Sequence, residues 1–518
     1  MKLPSFIRAV ALITIFTVAT RSIGFVFRIF LSRILGPEML GVYQIALSFF
    51  MVFLTLIASG LPLIISKHTA EHTTNPKPDS SLKRIALSGL TISLSVSLTV
   101  LLFIFSTHNL LGYLFTDRRS LTILMALAPS LVAYSVYSVL RAIWWGQKRF
   151  SLLGLTELLE QLMRVGTFAV MLMMASLFLD MARLAAVAYS IASVFSAILV
   201  TLIFLKTTKK RGVMSDVTPQ NTPLPKLSAS IKPIAKSAAP ITFVRFFATV
   251  ALPIIAITVP HRLQAAGWTP AEALSAFGIA VGMTLPLLTI PQAIISSLAT
   301  ALVPELSSAV QNKQHDAVTK QVTNCLRFAL LVNFLILPVF MSLGRPIGVF
   351  LFDNETSGIY LIRSAWIMIP MSLSLITNAI LNSLGAETRA MKHYLLGSIA
   401  LFASIWFLPA HIGIYSLMVG IGVCMSIASL LNIRMINKIT GARPRTFGLI
   451  SMFTIISIPA GLLGYFMHGL LATFLPLFFS IGFSAAITVA TLGLLAYTLN
   501  LFDFFDYLKL RQKRIKNA

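Results

Sequence analysis

The stretch "TVATRSIGFVFRIFLSR", residues 17–33, places Arg21, Arg28 and Arg33 in a run that is otherwise apolar and helix-forming. Apolar sequence extends on both sides, so residues 9–32 are long enough to cross a bilayer, which takes about 20 residues. An arginine near the middle of such a helix costs about 2.5–3.5 kcal/mol on insertion, so it faces a wet cavity or a partner. Arg21 and Arg28 are seven positions apart. At about 100° per residue they fall within roughly 20° of one another on a single helix face. Arg33 lies at the outer end, where a long side chain reaches the interface.

The rest of the chain agrees with a membrane helix. Of 518 residues, 57% are hydrophobic and 11% charged, with a mean hydropathy of +0.87. Soluble domains carry about 25% charged residues. Fourteen apolar runs follow in order: 9–32, 39–66, 85–106, 121–143, 152–177, 184–205, 238–260, 274–302, 326–349, 360–384, 394–410, 413–434, 448–468 and 476–501. The expected fold is an all-α polytopic membrane protein with about fourteen transmembrane helices. The N-terminal run continues past residue 30 without a small-residue cleavage site, so the first helix is read as a retained anchor.

The net charge is +25. With the N-terminus inside, the inner segments hold 30 of the 41 lysines and arginines and the outer segments hold 6. A basic bias that alternates loop by loop puts both termini in the cytoplasm of a multi-pass cell-membrane protein. This distribution explains the charge without nucleic acid. The two cysteines, Cys325 and Cys424, form no metal motif and read as inert thiols.

The longest loop, 206–237, is basic and rich in Pro, Ser and Thr, and reads as a flexible linker. Two marks recur about 240 positions apart: "SGLPLIISK" (59–67) with "SSLATALVPELS" (296–307), and "WWGQKRFSLLG" (144–154) with "NSLGAETRAMKHYLLG" (382–397). Pro62 corresponds to Pro304 and Gly146 to Gly385. Both marks keep a six-span offset. The expected organisation is an N-lobe at 1–205, the linker at 206–237, a C-lobe at 238–436, two further helices at 437–501 and a basic tail at 502–518. Such repeats mark secondary transporters, with the path at the repeat interface.

Glu157 and Glu160 are the only acids placed inside a span. Glu160 and Arg164 stand at i,i+4 and can satisfy each other. This leaves Arg21 and Arg28 short of carboxylates, which fits an anion-binding role. Arg245, in the seventh span, is the second lobe's candidate for the same anion. Glu157, Glu160, Gln161 and Arg164 form either an inner gate or a structural network. Arg363 reads as an interfacial anchor. The arginine fork suits phosphate bidentately. Prolines at 129, 253, 286, 291, 338, 370 and 459 can kink their helices. Histidines fall in loops or at span ends, and the nucleotide, zinc-hydrolase and serine-hydrolase motifs are absent. No enzyme activity, cofactor or metal is expected.

Four stretches carry a family resemblance: "TRSIGFVFRIFLSRILG" (20–36), "GLPLIISKHTAE" (60–71), "GQKRFSLLGLTELLEQLMRV" (146–165) and "SSLATALVPELSSA" (296–309). They resemble the polysaccharide-transporter branch of the multidrug/oligosaccharidyl-lipid/polysaccharide exporter superfamily. That group includes stage V sporulation protein B-like proteins and is similar to MurJ-type lipid II flippases. The resemblance implies fourteen helices in two lobes around a central cavity, acting as a monomer. It implies export of undecaprenyl-pyrophosphate-linked sugars for the cell wall by alternating access, such as the peptidoglycan precursor lipid II, in vegetative growth or sporulation. Arginines of the first helix line the cavity in MurJ-type proteins. The match falls on Arg21, with Arg28 one position from the second such site. The MurJ-type arginine of the eighth helix has no counterpart in "AVGMTLPLLTIP", which leaves another lipid-linked oligosaccharide open as the cargo. A cation-coupled drug exporter of the same superfamily would want an acid in a lobe cavity, and few acids are available.

Overall fold

The computed structural model describes residues 5–74, 82–173, 180–209, 227–297, 306, 312, 315–441 and 446–499. Most of the linker, nearly all of "SSLATALVPELSSA" beyond residue 297, Pro304 and the basic tail lie outside the described residues.

The described residues are helical throughout their regular structure. Twelve segments among them are long and apolar enough to span a membrane. Two features reconcile that number with about fourteen. The segment Ile15–Thr73 contains the first two expected spans. The fifth carries Glu157, Glu160 and Arg164, and is not among the twelve. It nonetheless runs Phe150–Met173, 24 residues, or about 36 Å at 1.5 Å per residue.

By packing, the chain divides into two units, Met1–Pro260 and His261–Ala518. The first contains α1 (Ser5–Ala58), α2 (Leu61–Thr74), α3 (Leu82–Ser106), α4 (His108–Leu114), α5 (Arg118–Leu127), α6 (Pro129–Gly146), α7 (Phe150–Met173), α8 (Met181–Lys209) and most of α9 (Leu227–Ala265). Helix α1 covers 54 residues, about 80 Å if straight, more than twice the hydrocarbon core. It breaks at Gly36, where φ is 68° and ψ 172°, directly before Pro37. That conformation is open essentially to glycine alone. Just past the break, Glu38 receives the Arg119 guanidinium at 2.5 Å, and Asp117 binds the same guanidinium at 2.7 Å.

A buried cluster joins the α2, α3, α6, α8 and α9 ends: Ile65, Ile85, Tyr137, Trp144, Phe204, Ile234 and Ala238 all contribute. Gly146 closes α6 against Ser66 and Thr69 of α2, where a Cβ would meet backbone and the Thr69 side chain. Its repeat partner Gly385 is a glycine for a different reason, a turn at φ 68°.

Arg141, at the inner margin of the fourth run, lies within α6, and its guanidinium reaches α7. A polar group near a helix end is drawn in when a facing helix offers an acid, and here Glu157 does so.

The second unit contains α10 (Pro270–Phe277), a π-helical turn at Gly278–Thr284, α11 (Leu285–Leu288), α12 (290–297), α13 (His315–Phe352), α14 (Glu355–Ser364), α15 (Met368–Ser383), α16 (Glu387–Phe407), α17 (Pro409–Ile412), α18 (Tyr415–Thr440), α19 (Thr446–Leu471) and α20 (Leu477–Thr498). Pro286 and Pro291 interrupt the eighth span, which passes through the π turn into two short pieces. A wide turn of this kind accommodates residues the α ladder cannot. Pro129 opens α6, while Pro253, Pro338 and Pro459 sit inside continuous helices.

Contacts between helix ends agree with the alternation read from basic residues. Arg363 donates to the Tyr415 hydroxyl at 3.2 Å, and Arg262 donates to the Trp406 carbonyl at 2.9 Å. All four residues belong to ends assigned to one side. Both cysteines are buried and neither is in a disulfide.

Candidate functional site: an arginine face on the first helix

Helix α7 packs closely on α1, and Phe168 inserts its ring edge against Phe27 at 5.4 Å and Phe30 at 6.2 Å. This contact places the polar residues of α7 beside the arginine face. Gly24 lies between Arg21 and Arg28, at i+3 from one and i−4 from the other, so all three share a face. A methyl group added at Gly24 would sit 3.4 Å from Gln161 Nε2. Gln161 is therefore seated in the gap between the two arginines.

Gln161 is tied to its neighbours on α7. Arg164 donates to Gln161 Oε1 at 3.3 Å and to Glu160 Oε1 at 2.7 Å. Arg164 also lies over the Tyr189 ring at 4.5 Å, a favourable placement for a guanidinium. One helical turn back, Arg141 donates to Glu157 at 3.2 Å, to the Tyr137 hydroxyl at 3.1 Å and to the Leu153 carbonyl at 3.2 Å. The Tyr137 hydroxyl, which accepts from Arg141, also interacts electrostatically with Glu160, which brings the two ion pairs into one neighbourhood. Tyr43, 5% exposed, interacts electrostatically with Arg28, Arg164 and Tyr189.

The site is thus one network on α1, α6, α7 and α8. It merges the two groups that sequence reading kept apart, the arginines of the first span and the Glu157–Arg164 set. Both glutamates are taken by arginines within the network. Arg21 and Arg28 are exposed, and among the described residues no carboxylate and no hydrogen bond meets either guanidinium. Arg141, Tyr43, Tyr137 and Tyr189 were missed in the sequence. Tyrosines in apolar helices give no signal until their neighbours are known.

Arg245 stands elsewhere. Its Nη1 donates to the Ser59 carbonyl at 3.0 Å, at the end of α1, in the same packing unit. The Thr55 and Thr249 hydroxyls meet at 3.3 Å one turn away. Gly60 leaves no room for a Cβ against the Ala238 carbonyl of α9. No group of three or more His, Cys, Asp and Glu side chains able to hold a metal occurs among the described residues.

These features define a multi-pass helical membrane protein with a cationic face on its first helix and a polar network behind it. The chain belongs to the family described as "Polysaccharide biosynthesis protein", whose model matches residues 6–310. It is 26% identical to stage V sporulation protein B of Bacillus subtilis (strain 168) over 447 residues, covering 84% of each chain. Its fold resembles a structure of the lipid II flippase MurJ in an inward closed conformation, with TM-score 0.63, 13% identity and coverage of 94% and 98%. It also resembles an inward-facing multidrug resistance MATE family transporter of the MOP superfamily, with TM-score 0.61, 14% identity and coverage of 82% and 94%. The fold class expected from the sequence is the one observed.

Proposed function

We propose that this protein carries a lipid-linked oligosaccharide across a bacterial cell membrane, with Arg21 and Arg28 holding the pyrophosphate while the polyprenyl tail stays in lipid. The observation that carries this reading is the pair of exposed arginines on one helix face, with every nearby carboxylate already committed to another arginine. Two unneutralised guanidiniums match a diphosphate in charge, and each planar fork suits phosphate oxygens. The membership of the family and the likeness to lipid-flipping and drug-exporting folds support transport by alternating access. Within that class lipid II is the proposed cargo, on the likeness to stage V sporulation protein B and MurJ; other undecaprenyl-pyrophosphate glycans present the same anion.

The test is lipid II translocation in cells depleted of their own flippase. The intact protein should restore it, and Arg21→Ala at equal membrane level should not. Rescue by Arg21→Ala would remove the assigned role. Failure of the intact protein would remove lipid II as the cargo.

A further inference from the structure

We propose that Gln161 is a third ligand-binding residue of this site: its amide N–H groups, aimed between Arg21 and Arg28, donate to the same diphosphate. The inference rests on the anion-binding reading given above and adds to it the residue that sets specificity.

The orientation of the amide follows from chemistry. A guanidinium has only donors, so the atom of Gln161 that faces Arg164 must be the oxygen. That contact is 3.3 Å. The nitrogen is then turned toward Gly24 on the arginine face, where a methyl group at that glycine would lie 3.4 Å away. Among the described residues no acceptor meets this nitrogen. Glycine at position 24 leaves the amide uncovered from the helix side.

The amide is also held in place. Gln161 is 7% exposed. Arg164 is itself fixed by Glu160 at 2.7 Å and by the Tyr189 ring at 4.5 Å. Glu160 and Arg164 are therefore positioning residues: they orient the amide and take no part in holding the anion. Donors fixed in advance bind a phosphate oxygen more strongly than mobile ones. Two arginines supply charge to any anion. A neutral donor set between them favours a diphosphate, which has more oxygens to share among three groups than a monophosphate has.

The experiment uses the full-length protein in lipid nanodiscs and measures binding of undecaprenyl pyrophosphate, undecaprenyl phosphate and inorganic pyrophosphate. Gln161→Met keeps the volume and removes the donors. It should weaken undecaprenyl pyrophosphate about tenfold, the loss of one or two hydrogen bonds to a charged group, and leave undecaprenyl phosphate within about twofold. Gln161→Glu keeps the shape and the Arg164 contact but sets a negative charge against the ligand. It should weaken the pyrophosphate lipid about a hundredfold or more. Arg164→Lys should lower the preference for pyrophosphate over monophosphate, and adding it to Gln161→Met should produce little further loss. Weak competition by inorganic pyrophosphate is expected for a lipid headgroup site; competition as strong as the lipid's would reassign the ligand to a free diphosphate held by the same donors.

Two results would overturn the inference separately. If Arg28→Ala abolishes binding while Gln161→Met and Gln161→Glu bind like the wild type, the anion site stands and Gln161 has no part in it. If Arg28→Ala binds the pyrophosphate lipid like the wild type, the anion-binding reading fails, and this inference fails with it.

Discussion

Arg245 donates a 3.0 Å hydrogen bond to the carbonyl oxygen of Ser59, 186 residues earlier in the chain. Ser59 follows the last residue of α1, where helix carbonyls lack intrahelical partners. The guanidinium therefore caps the end of one membrane helix from the side of another. This contact matters because the middle of α9 is largely exposed, with Phe243, Val244 and Phe247 all on its surface. It carries four prolines, at 233, 240, 253 and 260. Beyond the buried packing of Ile234 and Ala238 near its start, its hold on the first unit is a short series of contacts, Gly60 on Ala238, Arg245 on Ser59, and Thr249 on Thr55.

The first prediction is a cross-link. Cysteines replacing Thr55 and Thr249 should form a disulfide under mild oxidation, since the two hydroxyls are 3.3 Å apart and a disulfide needs Cβ atoms about 3.5–4.5 Å apart. Both native thiols are buried and should not compete. Adding Arg245→Ala should slow cross-linking. Unchanged cross-linking in that variant, read as mobility on a non-reducing gel, would show that the cap does not hold α9.

The second prediction concerns the paired charges. Arg164→Met leaves Glu160, whose side chain is 13% exposed, without its cation. Breaking a buried pair from one side costs about 3–5 kcal/mol. Replacing both partners, as Glu160→Gln with Arg164→Met, should recover most of that loss. Thermal unfolding in detergent would compare the single and double variants. Equal destabilisation by both would contradict a closed ion pair.

The third prediction concerns Arg28. Arg28→Ala should abolish translocation in the depleted-flippase assay while leaving thermal stability within about 0.5 kcal/mol, as for surface substitutions away from structural partners. Arg28→Lys should retain charge but lose the bidentate fork, giving partial activity. A strong fall in stability for Arg28→Ala would mean that the residue is a structural partner.

The fourth prediction is conformational. Gly36→Ala forces a side chain into the region at φ 68° and ψ 172°, which costs of order 1–3 kcal/mol. Its expression and unfolding temperature should fall, whereas Gly166→Ala in α7, where an added Cβ meets nothing, should be neutral or slightly stabilising.

The network was legible in the sequence where it is local. Glu160 and Arg164 at i,i+4 were paired from their spacing, and the ion pair is present at 2.7 Å. The common face of Arg21 and Arg28 follows from helix geometry alone. The meeting of Gln161 with Gly24 was not legible, because it depends on how α7 lies across α1, and spacing within one helix says nothing of that. Arg141 fell at the inner margin of the fourth run, 121–143, and had no role assigned to it. In the fold that charge is met by Glu157 and the Tyr137 hydroxyl, so α6 continues past it to Gly146. Arg245 was set beside the first-helix arginines by the repeat; its contact with the Ser59 carbonyl was not legible, because repeat register does not determine which neighbour a side chain reaches.

The break at Gly36 also limits how the first helix can move. Arg28 lies eight residues before it and Tyr43 seven after, and the two interact electrostatically across the break. A connection of one residue spans less than about 4 Å, so the ends of the two halves at Gly36 and Pro37 cannot draw apart. Whatever motion the first helix makes, its second half is carried along at that joint.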